Sequence, residues 1–201
     1  MKDNKGFSLV ELIIVIAIMA AIAGAIFYSY MLLIGQYPRE CANNLSTSMD
    51  KAKNYALVRS ASVDCYMELV KNNKGYSVKY YVPKNAKATG HDVDSGAFQP
   101  DDWELAEELN IGKKMVHIKC EYYQGSSKAG YDEITDSNSV KLVYNRISGA
   151  LKGIGDTGSS DHGLDTIDES YTDVVITISY GRDYEIHLYT ATGKHVLSRV
   201  G

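Results

Sequence analysis

Hydropathy divides the chain into three unlike stretches. Residues 1–6 are polar and carry Lys2 and Lys5. From Leu12 to Ile34 the residues are predominantly apolar on every helical phase, and Glu11 sits at the edge of the run. As a helix that run measures roughly 34 Å, enough to span a bilayer. Lys2 and Lys5 set its N-terminal end on the cytoplasmic side. Pro38 is expected to interrupt or kink the helix, because proline removes a backbone donor and crowds the preceding turn. Past it, Leu45, Met49, Ala52 and Ala56 recur at helical spacing and predict one buried face, ending near Ser60.

The remainder changes period from 3.6 to 2. Val63, Cys65, Met67 and Leu69 alternate with polar neighbours, and so do Tyr76, Val78, Tyr80 and Val82. Asn72-Asn73-Lys74-Gly75 between them predicts a hairpin turn. Residues 84–114 read as irregular, with a short helix over Asp101 to Leu109 capped by an aspartate. Further strands are expected at Val116 to Tyr122, Val140 to Tyr144, Val174 to Tyr180, Tyr184 to Leu188 and His195 to Val200. Gly181-Arg182 and Thr192-Gly193-Lys194 supply turns between the last of them. Short strands on tight turns imply an antiparallel sheet, and a helix facing it makes a two-layer α+β domain. The domains expected are a leader over 1–6, a membrane-spanning helix over 7–35, an amphipathic continuation over 36–60 and a β-sheet head over 61–201.

Composition narrows the function. The 201 residues carry a net charge of −4 with no Lys/Arg cluster evident in sequence, a weak argument against nucleic acid as main partner. Sixteen tyrosines against three phenylalanines suit half-buried strands with a wet edge. Cys41, Cys65 and Cys120 lack zinc-site spacing, and three thiols leave one unpaired within a monomer. Cys65 and Cys120 fall on the apolar phase of their strands, so burial as free thiols and a bridge between them both stay open. Cys41, just past Pro38, is expected to lie away from that core.

The N-terminal residues Lys5-Gly6-Phe7-Ser8-Leu9-Val10-Glu11, followed by the apolar run, resemble the class III signal of type IV pilins and type II secretion pseudopilins. The resemblance implies cleavage by a prepilin peptidase between Gly6 and Phe7 and N-methylation of Phe7. It makes Glu11 the fifth residue of the mature chain, the family's glutamate position. Phe7 and Glu11 are four apart and share a helix face, so the new α-amino cation and the Glu11 carboxylate are partners within a chain or between neighbours. Many pilins carry a proline in the apolar half, where this chain has Gly24 as its weak point. Two shorter segments, Val143 to Gly149 and Thr190 to Val196, together with the cysteine on the strand after the helix, are similar to the FimT/GspH group of minor pilins and pseudopilins. The implied partners are other pilin-like subunits, the peptidase, an inner-membrane assembly platform and, before assembly, lipid.

Competing readings are weaker. Ala21-Ile22-Ala23 imitates a secretory cleavage site, but Glu11 precedes it and the apolar run continues past it. Asp156, Asp161, Asp165 and Asp168 in a glycine-rich loop are calcium candidates, against the plainer reading of a solvated acidic loop. No other cofactor is expected. His91, His117, His162, His187 and His195 form no i, i+4 pair. Ser160-Asp161-His162 holds the residue types of a hydrolase triad, but adjacent residues do not converge as a triad must. No enzyme is expected. The sequence therefore points to a filament subunit, with a non-polymerising membrane-anchored surface binding protein as the alternative.

Overall fold

The computed structural model describes residues 8–59, 65–83, 103–145, 147–156, 165–166 and 171–200. Helix α1 runs Leu9–Arg59 as one element. Its start is fixed by Ser8. The Ser8 hydroxyl accepts from the Glu11 amide at 3.3 Å, and the Ser8 carbonyl accepts from the Leu12 amide at 3.2 Å. Ser8 is thus an N-cap with a glutamate three residues on, whose charge also suits the positive helix end. Of the two effects expected of Pro38, interruption of the helix does not occur. The helix passes through it, giving up one backbone bond, and Pro38 is buried where α1 meets the head.

The described strands form two antiparallel sheets rather than one. The first contains β1 (Cys65–Asn72), β2 (Gly75–Pro83), β3 (Trp103–Lys113), β6 (Val140–Tyr144), β7 (Leu151–Asp156) and β8 (Asp165–Thr166), in the order β3-β2-β1-β6-β7-β8. The second contains β4 (His117–Gln124), β5 (Ser127–Glu133), β9 (Asp173–Ser179), β10 (Asp183–Tyr189) and β11 (Lys194–Arg199), in the order β11-β10-β9-β4-β5. Among the described strands, the chain crosses between the sheets three times, from β3 to β4 at residues 114–116, from β5 to β6 at residues 134–139, and from β8 to β9. Helix α1 touches β1, β2, β3 and β6 of the first sheet and β9, β10 and β11 of the second. Period-two alternation marks which face of a strand is buried, but not which strands are neighbours, so one sheet and two read alike in sequence.

The short helix expected over 101–109 is also corrected. Residues from Trp103 are strand β3, paired with β2 from Gly75↔Lys113 to Pro83↔Trp103 with two register shifts. Glu107, Leu109 and Ile111 turn inward at period two. Pairing along a whole strand outweighs a local helix preference, since β2 would otherwise present an open edge. Glu107 gains a specific partner this way. Lys51 of α1 reaches both its carboxylate oxygens at 2.7 Å, and Tyr55 donates to it at 3.1 Å.

The core lies between α1 and the two sheets. Helix residues Leu45, Met49, Ala52 and Ala56 meet Met67, Leu69, Val78 and Leu142 of the first sheet and Ile118, Ile176, Ile178 and Ile186 of the second. Each large aliphatic side chain buried here contributes about 1.5–3 kcal/mol. Tyr76, Tyr80 and Tyr144 all reach the core, and of these the Tyr144 hydroxyl is buried without a hydrogen-bond partner among the described residues. Tyr80 donates to the Ser48 carbonyl at 3.1 Å, which also satisfies a helix group. The Asn72 turn is as predicted. Its Oδ1 accepts from the amides of Lys74 and Gly75, and Gly75 has φ of +136°.

Cys41 is a further correction. It is fully buried in the core against Gly112, not set apart from it. The face that carries Leu45 extends back through Ala42 and Cys41, because β3 reaches further toward the apolar half than the sequence suggested. Burial, with Glu40 nearby, pushes its thiol up to about 12. Cys65 and Cys120 are buried as their strand phase predicted, on different sheets, and none of the three cysteines forms a disulfide. Maleimide labelling of the folded chain at neutral pH should therefore be slow at all three, and fast only after denaturation. Rapid native labelling of Cys41 would show that β3 does not cover it.

Candidate assembly and membrane segment

The N-terminal half of α1 stands clear of the head. Leu9 keeps 75% of its surface and Leu33 keeps 49%, and the large apolar residues between them are exposed throughout. The most apolar window of this helix has a mean hydropathy of 2.8, with none of it buried in the fold. A surface of that length and uniformity is not stable facing water, so lipid or other protein must cover it. Near Ile34 the environment changes. Gly35 and Pro38 are buried, and from Cys41 onward one face belongs to the core.

Glu11 lies in the first turn of this exposed half, and Ser8 anchors its amide. The Ser8–Glu11 capping pair is legible in sequence as an S-x-x-E pattern, a signal that the apolar run beside it overshadows. It settles where the helix starts, and with it the height of Glu11 along the rod. Gly6 and Phe7 lie outside the described residues.

Residues 1–27 match the family model of the prokaryotic N-terminal methylation motif. The chain carries the class III signal of type IV pilins. Glu11 and the start of the exposed apolar run fall inside the matched span. The motif marks a type IV pilin-like prepilin, of the kind that prepilin peptidase processes and that associates with pilin-like subunits. With the apolar helix it fits a membrane-anchored chain. No curated protein and no solved structure matches the chain.

The head holds the other candidates. Asp161 and Asp168 lie outside the described residues. Asp156 ends β7 and Asp165 begins β8, at the two sides of the segment between those strands. His162 and His91 also lie outside. His117 and His187 stand at the surface beside Glu133 and Glu185, at 3.8 and 3.3 Å. His195 is different. Its Nε2 lies 2.8 Å from the Ser46 hydroxyl and 3.9 Å from Asp50, both on α1. Serine and aspartate thus address the same ring nitrogen, whereas a hydrolase triad places them on opposite nitrogens. The contact ties β11 to the helix.

The turn after β6 and the turn after β10 meet in space. The Asn145 side chain accepts from the amides of Ile147 and Ser148, closing the turn between β6 and β7. Gly193, in the turn between β10 and β11, has φ of +59° and sits so close that a Cβ there would collide with the Gly149 carbonyl. Lys53 of α1 donates to the Thr192 carbonyl at 2.9 Å. Together they join the first sheet, the second sheet and the helix at one point.

Proposed function

We propose that the chain is a structural, non-catalytic subunit of a type IV pilus-like or type II secretion-like filament, a minor pilin or pseudopilin of the FimT/GspH kind. The observation that carries this is one continuous helix with two different halves. The distal half is built into the head, while the proximal half is apolar all round, uncovered, and carries Glu11 in its first turn. Such a rod is at rest in lipid as a monomer and against other rods in a filament. The precursor inserts with its N-terminus cytoplasmic. The peptidase cuts after Gly6, Phe7 is methylated, and an inner-membrane platform moves the subunit into a filament at the cell surface. Glu11 then pairs with the α-amino group of a neighbour's Phe7 and sets register. A buried pair of this kind serves registry more than net stability.

The test is fractionation. Filaments sheared from cells, or a pseudopilus fraction, should contain this chain together with other pilin-like chains. If the chain stays wholly in the membrane while those chains polymerise, it is an anchored surface binding protein.

A further inference from the structure

Three turns of the head gather around α1 where it leaves the apolar stretch. The β9–β10 turn places Gly181 against Ile34 and the Arg182 guanidinium across Gly35, where a Cβ would lie 2.9 Å from Nε. The β3–β4 turn sets Gly112 against Cys41 and the Lys113 ammonium 4.3 Å above the Tyr37 ring. The β1–β2 turn brings Gly75, and Lys74 beside it, against Gly112 and Lys113. Between the last two turns opens a groove of about 510 Å³, lined by Lys74, Lys113, Lys114, Tyr37, Glu40 and Asn44, among others.

This rim is cationic on a chain whose net charge is −4. Lys74, Lys113 and Lys114 line the groove and Arg182 lies against Gly35 on the same stretch of α1, and among the described residues none of the four forms an ion pair. Glu40 is the carboxylate that lines the groove. Aromatic residues accompany the cations. Tyr180 lies against Tyr37 with ring centroids 6.3 Å apart and interacts with Tyr30 one turn below Ile34.

Height decides what faces this rim. From Gly35 to Asn44 the helix climbs roughly 14 Å. The headgroup layer outside the hydrocarbon adds about 5–8 Å on each side of a bilayer, and lysine side chains extend several ångströms further. When the apolar half spans a membrane, Arg182 therefore sits at its edge and the groove looks onto the phosphates. Tyrosine at that boundary is also the residue lipid interfaces favour.

We propose that this collar is a docking surface for anionic phospholipid headgroups, which seats the head on the membrane before assembly. It rests on the membrane-spanning reading of α1 and not on filament formation. A seated head holds the upper helix at a defined height and tilt, and leaving the membrane breaks those contacts.

Met115, exposed at the rim, is the reporter position. The full chain bearing Met115→Cys, labelled with a polarity-sensitive fluorophore, is placed in vesicles of phosphatidylcholine alone or mixed with phosphatidylglycerol. The three native thiols are buried and stay unlabelled. Anionic vesicles should shift the emission to the blue, and molar salt, with a screening length of about 3 Å, should reverse it. Each lysine neutralised among Lys74, Lys113 and Lys114 should lower the seated population about five-fold. Lys→Gln substitutions neutralise them, and Lys→Ala serves if that set misfolds, with circular dichroism as the folding check. Equal emission in both lipids, or a shift that survives loss of all three lysines in a folded chain, overturns the proposal. So does a shift that inorganic phosphate reproduces in neutral vesicles, which would mark a phosphate pocket instead. A chain that never polymerises yet shows the lipid shift refutes the filament reading and leaves this one standing.

Discussion

Glu11→Ala should leave the amount of chain in the membrane unchanged and reduce its entry into filaments by more than about a hundred-fold. The magnitude follows from removing one member of a buried ion pair. The partner left behind, the α-amino cation of a neighbour's Phe7, is then uncompensated in low dielectric, at a cost of about 3–5 kcal/mol. Membrane insertion is not impaired, because alanine makes the spanning helix more apolar. The head is not impaired either, since Glu11 is exposed and lies far along α1 from the core. Quantitative blotting of membrane and sheared-filament fractions separates the two effects. Wild-type amounts of the alanine variant in filaments would remove the registry role of Glu11.

Gly6→Leu should abolish maturation. Cleavage after Gly6 needs a residue with no side chain in the peptidase site, and leucine adds four carbons there. Essentially all of the chain should remain as full-length precursor, correctly inserted, with a folded head. The heavier band should persist when the peptidase is overproduced. The Glu11→Ala chain, by contrast, should be cleaved as usual, so the two variants stop at different stages. Normal trimming of the Gly6→Leu chain would place the processing site elsewhere.

Much of this molecule could be read from local pattern. Leu45, Met49, Ala52 and Ala56 are buried on the face that their spacing marked, because a helix on a flat support buries one stripe. The strands carrying Met67, Val78, Ile118, Ile176 and Ile186 turn those residues inward for the matching reason at period two. Long-range pairing was not legible. Whether β1 and β4 share a sheet depends on neighbours supplied from far along the chain, and their alternation is the same either way. Residues 103–109 show the same gap, since Glu104, Glu107 and Glu108 look helical until β2 is beside them. Cys41 was misplaced because its burial is set by the reach of β3, which no helical periodicity contains. The site divides similarly. Gly6, Phe7, Glu11 and the apolar run form a contiguous motif, so sequence alone carried it. The basic collar comes from Lys74, Lys113, Lys114 and Arg182, scattered over three turns, and needed the fold to bring them together.

The central claim is that this chain becomes a mature pilin-like subunit beginning at Phe7. Intact-mass and terminal-peptide analysis of the chain recovered from the sheared-filament fraction tests it most directly. The account predicts a first residue of Phe7 carrying one methyl group, with Glu11 unmodified at the fifth position. A chain recovered outside the cell that begins at Gly24, or one that stays in the membrane with Met1 through Gly6 intact, would contradict it.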